Sequence, residues 1–268
     1  MKTCTVNATH TLEDKTFEKK GATIYRCRDC GCLMADIDFH HAQYESGDYY
    51  TLLRKTLAEV DEEWGFRWRY ILRRIMEQDE SWSLLDIGAG NGYFVALAER
   101  EFGVRASGIE ISAAETRFAH EVLGVELLNE DIARHMGSYD VVTCFNVLEH
   151  VADPRTFLAD AGARVKPGGL LVLTTPNPGC IHARVRGIQR WNMVDPPHHI
   201  NLFSRKSLDE LLRGERMHPV RYETLSTYIN FVRKFDTRDL LFRRLFFHLL
   251  RSAGMGADHF IIARRLMA

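Results

Sequence analysis

Leu84-Leu85-Asp86-Ile87-Gly88-Ala89-Gly90-Asn91-Gly92 decides the fold: an apolar strand runs into three glycines at alternate positions, and Tyr93 to Phe102 follows with helical periodicity. Glycine lacks a Cβ, so at such a strand-to-helix turn backbone N–H groups can approach a ligand. Downstream the chain alternates strictly between short apolar strands and amphipathic helices, the pattern of a mostly parallel, doubly wound sheet. Val104 to Ile109 is expected as the second strand, Val125 to Asn129 as the third, Tyr139 to Phe145 as the fourth and Leu170 to Thr175 as the fifth. Ser112-Ala113-Ala114-Glu115 reads as a capping box opening one helix. Asp153-Pro154 reads as an N-cap with proline at the first helical position of another, which Lys166-Pro167-Gly168-Gly169 stops. Ser204 caps a further helix through Leu212.

The glycine spacing argues against a dinucleotide. A fingerprint starting at Gly88 would need glycine where Tyr93 stands, and one starting at Gly90 would need it at Val95. A ligand with a ribose, an adenine and a cationic amino-acid tail, but no phosphate, fits better, and S-adenosylmethionine (SAM) is such a ligand. Glu110, at the end of the second strand, can accept both ribose hydroxyls, because a diol offers two donors and a carboxylate two oxygens. Asp131 can accept from the adenine amino group, with Ile132 as an apolar face. Asp86 sits under the glycine turn, where its charge favours the ligand's ammonium group.

With these residues in order, 83 to 176 resembles a class I SAM-dependent methyltransferase, of the branch related to ubiquinone and menaquinone biosynthesis methyltransferases. The matching pieces are Leu85 to Gly92, Gly108-Ile109-Glu110-Ile111-Ser112, Glu130-Asp131-Ile132, Tyr139-Asp140-Val141-Val142, Val147-Leu148-Glu149-His150-Val151, Asp153-Pro154 and Lys166 to Gly169. The resemblance implies an α/β fold: a Rossmann-like, seven-stranded, mostly parallel sheet with helices on both faces and the last strand antiparallel. Pro219 to Ser226 and His259 to Ala263 suit the two closing strands. It also implies cofactor contacts at Gly88, Gly90, Glu110 and Asp131, with Phe145 and Asn146 beside the sulfonium; Asp86, Gly92, Ile111 and Ile132 complete the expected cofactor-binding set.

Methyl transfer from a sulfonium is an in-line displacement, so acceptor, methyl and sulfur must be aligned and water excluded. The acceptor is expected over the strand C-terminal ends, near the stretch from Pro176 to Phe203, which carries four of the seven prolines and is too long for a passive connection. Within it, Asp195-Pro196-Pro197-His198-His199 resembles a Pro-x-His-His segment of the same branch. A histidine titrates near about 6.5, so His198 or His199 suits deprotonating or orienting an acceptor hydroxyl. The other reading is that both pin the loop by hydrogen bonds. His150 has the same two readings at a helix end.

Six cysteines are few for a disulfide scaffold, and three crowd into Cys27-Arg28-Asp29-Cys30-Gly31-Cys32. Two thiolates three residues apart form half of a zinc site, and Cys4 with His10 could complete it as Cys4, His10, Cys27 and Cys30. Relatives with an amino-terminal zinc ribbon carry a second Cys-x-x-Cys, whereas Asn7 stands at that place here. The alternatives are therefore a structural zinc site or a degenerate ribbon with free thiols.

The expected organisation is a zinc-ribbon-like segment over 1–40, a helical lid or linker over 41–80 and a methyltransferase domain over 81–268. That domain carries a lid at 176–203 and a basic helix at about 231–251. The helix interleaves Arg233, Lys234, Arg238, Arg243, Arg244 and Arg251 with leucines and phenylalanines; it either packs on the core with a solvated basic face or touches an anionic membrane. With 35 Lys+Arg against 36 Asp+Glu no global positive field exists, so nucleic acid is not an expected partner. Without a signal-like or membrane-spanning run the chain reads as cytoplasmic. The expected activity is methyl transfer, at oxygen, to a small molecule, a glycan or a biosynthetic intermediate. The rivals are a C- or N-methyltransferase, a non-catalytic SAM-binding or zinc-ribbon module, and a nicotinamide-dependent oxidoreductase.

Overall fold

The computed structural model describes residues 3–37, 56–77, 82–226 and 248–267. The central sheet takes β4 (Ser83–Ile87), β5 (Arg105–Ile109), β6 (Leu127–Leu128), β7 (Tyr139–Phe145), β8 (Val165–Pro176), β10 (Met217–Leu225) and β11 (Asp258–Arg265). Their order is β10-β11-β8-β7-β4-β5-β6. β11 runs antiparallel to both neighbours, Phe260 opposite Thr174 and Glu223, while the remaining pairs are parallel. This is the Rossmann-like sheet with its last strand reversed.

Alternation along each strand sends successive side chains to opposite faces, and both faces are covered. Leu85, Ile87, Val142, Cys144, Leu171 and Ile261 face α5 (Pro154–Arg164) and α7 (Arg205–Gly214). Leu84, Val141, Leu170, Val172 and Phe260 face α2 (Phe66–Met76) and α3 (Tyr93–Phe102). α2 follows a helical turn α1 (Leu57–Val60) and a π-helical turn Asp61–Gly65. Its Ile71, Leu72 and Ile75 are at most 1% exposed, each worth about 1.5–3 kcal/mol of apolar burial. Arg67 on α2 is itself buried and pairs with Asp258 at the start of β11. The described part of the 41–80 stretch is thus packed against the sheet.

The amino-terminal residues form a second, antiparallel sheet, β1 (Phe17–Lys19), β2 (Ala22–Arg26), β3 (Leu33–Asp36) and β9 (Asn201–Leu202). β9 comes from the far end of the proline-rich stretch, with Leu33 opposite Leu202 and Met34 opposite Asn201. That stretch therefore differs from an open lid. It carries α6 (Ile181–Arg186) and buries Cys180, Trp191, Val194 and Leu202 against Phe17, Ile24 and Leu33. Its apolar residues, without helical or strand periodicity, are satisfied by tertiary packing alone.

Two local expectations change, and a third falls mostly outside the described residues. Only Leu127–Leu128 of the third strand pairs, at the sheet edge. Ser112 does cap α4 (Ala113–Phe118), accepting from the Glu115 N–H, but the reciprocal half of the capping box is absent. The Ser112 N–H donates to Glu110 instead, and the Glu115 carboxylate accepts from Asn91 in the glycine turn. Finally, of the basic stretch, Arg233, Lys234, Arg238, Arg243 and Arg244 lie outside the described residues. Arg251 is described and donates to Tyr70 Oη at 2.9 Å. Among the described residues no helix is long and apolar enough to cross a membrane.

Candidate functional site

A cavity of about 350 Å³ opens at the C-terminal ends of β4, β5 and β7. In a parallel α/β sheet this is the edge at which loops, rather than packed side chains, can enclose a ligand. Gly88, Glu110, Ile111, Asp131, Ile132, Asn146 and His150 line it, from four stretches of chain, after β4, β5, β6 and β7, brought to the same edge. Val147, Val151, Asp153 and Phe157 close the side toward α5. Asp153 caps that helix, accepting from the Arg155 and Thr156 N–H groups at 3.1 Å. Of the sequence-selected residues, Asp86, Gly90, Gly92 and Phe145 do not line the cavity.

The glycines bend the chain rather than present free donors. The Gly88 N–H donates to the Ile109 carbonyl, the Gly90 N–H to Glu110 Oε2 and the Gly92 N–H to the Ala89 carbonyl. Gly88 adopts φ +67°, and a Cβ there would stand 2.5 Å from Val147 Cγ2. Only glycine meets both demands.

Glu110 is 2% exposed, and both its oxygens are engaged, Oε2 by the Gly90 N–H and Oε1 by the Ser112 N–H, each at 2.9 Å. Burial raises its pKa and these backbone donors oppose the rise. Each oxygen keeps a second lone pair, so the carboxylate can tie the turn to β5 and still accept from a diol in the cavity. Asp86 lies deeper, 3% exposed, with Thr143 Oγ1 donating to Oδ1 at 2.6 Å. Burial pushes its carboxyl up to about 7, with the Glu110 charge adding to the rise.

Asp131 Oδ1 accepts from the Ala133 N–H at 2.8 Å, holding the turn that carries buried Ile132. Asn146 stands at φ +53°, with Oδ1 accepting from Thr174 Oγ1 at 3.0 Å. Phe145 turns the other way and packs edge-on against Phe94, ring centroids 4.8 Å apart.

The histidines form one group. His150 Nδ1 hydrogen-bonds the His198 carbonyl at 2.8 Å, His199 Nδ1 the Met193 carbonyl at 2.7 Å, and the His150 and His199 rings meet at 4.8 Å. Both imidazoles fall below the usual histidine range through burial, His150 to about 4. Glu149, a member of the Val147-to-Val151 match, lies fully buried beside them with Thr175 Oγ1 donating to Oε2 at 2.9 Å. Burial raises its carboxyl to about 7.

Far from this edge along the chain, Cys4, His10, Cys27 and Cys30 offer ligand atoms that all lie within 4.8 Å of one another. Cys4 Sγ and Cys30 Sγ are 3.7 Å apart, against about 3.8 Å for two sulfurs on a tetrahedral zinc. The Cys30 N–H points at Cys27 Sγ, 3.4 Å, in a knuckle closed by Gly31 at φ +76°. His10 Nε2 lies 3.2 Å from Glu210 on α7, leaving Nδ1 buried with no hydrogen-bond partner among the described residues. Contact with Cys30 lowers the Cys4 thiol pKa, and the same contact raises that of Cys30. Cys32 stays outside the group, with its thiol directed at the Leu33 carbonyl.

Residues 58–215, more than half of the chain, match the methyltransferase domain family. Ubiquinone biosynthesis O-methyltransferases are similar over a shorter stretch. That of Cronobacter sakazakii is 39% identical over 103 residues, 35% of this chain and 42% of its own. That of Thiobacillus denitrificans is 36% identical over 103 residues, with 35% and 44% covered. The chain thus spans less than half the length of these curated relatives. Among solved structures, a chain of the complex containing the Haloferax volcanii Trm112 methyltransferase activator superposes with TM-score 0.62 at 17% identity, covering 84% of this chain and 98% of that one. A geranyl diphosphate methyltransferase in complex with SAM gives TM-score 0.58 at 19% identity, with 87% and 98% covered. At such identities the structures speak for the fold; the family match over the glycine turn and the edge around it speaks for the activity. The chain belongs to the methyltransferase domain family.

Proposed function

We propose that the cavity at the sheet edge holds SAM and that the chain transfers its methyl group to an oxygen of a small molecule, a glycan or a biosynthetic intermediate. The observation that carries this reading is the convergence of Gly88, Glu110, Asp131, Ile132, Asn146 and His150 on one cavity. Glu110 accepts from the ribose, Asp131 from the adenine amino group, and Ile111 and Ile132 sandwich the base. Asn146 stands beside the sulfonium, and Asp86 supplies negative charge behind the ammonium group. Phe145 supports this edge from behind by packing on Phe94. The acceptor lies toward His150 and the His198–His199 loop, where the imidazoles orient its hydroxyl. Oxygen as the methylated atom is supported by the O-methyltransferase names of the relatives. Methyl transfer from isotopically labelled SAM to a panel of hydroxylated, amino and carbon-acid acceptors tests it: label in a carbon-acid or amine alone overturns the oxygen assignment.

Asp86 gives this reading a pH signature. A carboxyl whose folded pKa stands near 7 is half-protonated at neutral pH in the ligand-free protein, and SAM's cation favours its ionised form. Binding therefore releases a proton below about pH 7, and SAM affinity rises with pH. Calorimetry at pH 6 and pH 8 should show about 10-fold weaker binding at the lower pH, and Asp86→Asn should flatten the difference. The sign for stability is the opposite. The folded ligand-free chain holds this proton more tightly than the unfolded chain, so the contribution is full below about pH 4 and is lost as pH rises through about 7.

We further propose that Cys4, His10, Cys27 and Cys30 hold a structural zinc. The chemistry of the donors fits: three sulfurs, one lowered toward thiolate by its neighbour, and a histidine whose other ring nitrogen is fixed by Glu210. The site closes the amino-terminal sheet, with Ser204 donating to the Cys30 carbonyl and tying it to the start of α7. Cys27→Ser with Cys30→Ser is expected to lose one equivalent of zinc by elemental analysis and several degrees of Tm, while the SAM dissociation constant stays within about threefold.

A further inference from the structure

We propose that Glu130, held in place by a buried Tyr139–His135 pair, is a second acceptor for the adenine amino group and sets the preference for adenine over other purines. The inference rests on the SAM reading of the cavity and deepens it at the base. Glu130 and Asp131 stand just past β6, and both line the cavity. An exocyclic amine offers two N–H donors. Asp131, which already accepts from the Ala133 N–H, meets one of them, and Glu130 meets the other. Glu110 serves the ribose and Asp86 the ammonium group, so Glu130 bears on the base alone.

The side chain of Glu130 is fixed from behind. Tyr139 Oη lies 3.0 Å from His135 Nε2, and His135 Nδ1 bonds Glu130 Oε1. A carboxylate only accepts, so Nδ1 carries the proton, Nε2 is the lone-pair nitrogen and the phenol donates to it. Burial, and then the Glu130 charge, raises the Tyr139 pKa, which keeps the phenolic hydrogen in place. The donors thus run one way, from phenol to imidazole to carboxylate. His135 is 6% exposed and stacks on Tyr139 with ring centroids 5.7 Å apart. Its carbonyl accepts from Arg164, the last residue of α5, at 2.6 Å. Gly137 lets the row close, because a Cβ there would stand 2.7 Å from His135 Nε2. With Oε1 so engaged, Oε2 is the Glu130 oxygen left to accept from a ligand. A purine carrying oxygen in place of the amine would set lone pair against lone pair at this carboxylate, and a site built around a donor rejects such an analogue.

Calorimetry of the full chain with S-adenosylhomocysteine and with S-inosylhomocysteine, in which oxygen replaces the amino group, tests the assignment by the ratio of the two affinities. The wild type should favour the adenosyl compound about 100-fold. Glu130→Gln, whose amide can donate to the inosine oxygen, should cut that ratio to about 10 or below. His135→Phe keeps a ring but has no donor for Glu130, and should lower the ratio in the same way. His135→Asn, whose amide nitrogen falls near the place of Nδ1, should restore it to within about threefold of wild type. A merely structural role weakens both ligands alike and leaves the ratio where it was. An unchanged ratio in Glu130→Gln therefore overturns the proposal, as does a wild type that binds the two ligands equally. A wild type that binds neither refutes the cofactor reading itself, and this assignment with it.

Discussion

Glu110→Gln is expected to weaken SAM binding about 100-fold, although the replacement is isosteric. Both carboxylate oxygens accept from backbone N–H groups, of Gly90 and of Ser112. An amide side chain has only one acceptor oxygen, so its NH2 must face one of those donors. The variant loses a charge-assisted hydrogen bond and leaves a buried N–H unmatched, about 3 kcal/mol together, or two orders of magnitude in affinity. The loss falls on the glycine turn itself, before any contact to the ribose is counted. Glu110→Asp should fare no better, because the shorter side chain cannot reach both donors. Calorimetric titration with SAM checks this, and a Glu110→Gln protein that binds within about threefold of wild type would remove Glu110 from the site.

Gly88→Ala carries a second large effect from a different cause. Alanine at φ +67° costs about 1–2 kcal/mol, and its Cβ would stand 2.5 Å from Val147 Cγ2. Val147 is β-branched and stiff, and lines the same cavity, so relief by rotation is poor. Binding of SAM should fall by about 100-fold or more, with Tm lowered as well. Adding Val147→Ala should recover the steric part and leave the backbone part, a coupling that a double-mutant cycle reads directly. Additive effects would mean that the two side chains do not meet.

The sheet was legible because its strands are encoded locally. Tyr139 to Phe145 and Ser83 to Ile87 alternate or run apolar between clear stops, and their observed bounds coincide with the sequence reading or nearly so. What local pattern cannot show is which distant segments meet. The pairing of Leu33 with Leu202 joins the amino-terminal strands to the proline-rich stretch across most of the chain, and no periodicity foretells it. The capping box failed for a related reason: the Glu115 carboxylate found Asn91, a tertiary partner, in place of the backbone donor at its own helix start.

The candidate site divides along the same line. The cavity residues from Gly88 to Asn146 could be named because each follows a strand end, and strand ends converge in this topology. Val147, whose methyl group sets the need for glycine at Gly88, carries no sign of that contact in the sequence, because the contact joins two different strand ends. Glu149 carried a readable sign, a carboxylate beside a histidine, but its burial and the approach of His199 from 50 residues downstream are products of the fold. The four candidate ligands Cys4, His10, Cys27 and Cys30 were chosen on residue chemistry and spacing, and their ligand atoms lie within 4.8 Å of one another.

Calorimetry on purified protein freed of bound nucleotide measures which ligand the sheet-edge cavity takes. SAM should bind one to one at pH 8, be displaced by S-adenosylhomocysteine and bind about 100-fold more weakly to Glu110→Gln, with no heat from NAD or NADP. Binding of a nicotinamide dinucleotide, or silence with both SAM and S-adenosylhomocysteine, would contradict it.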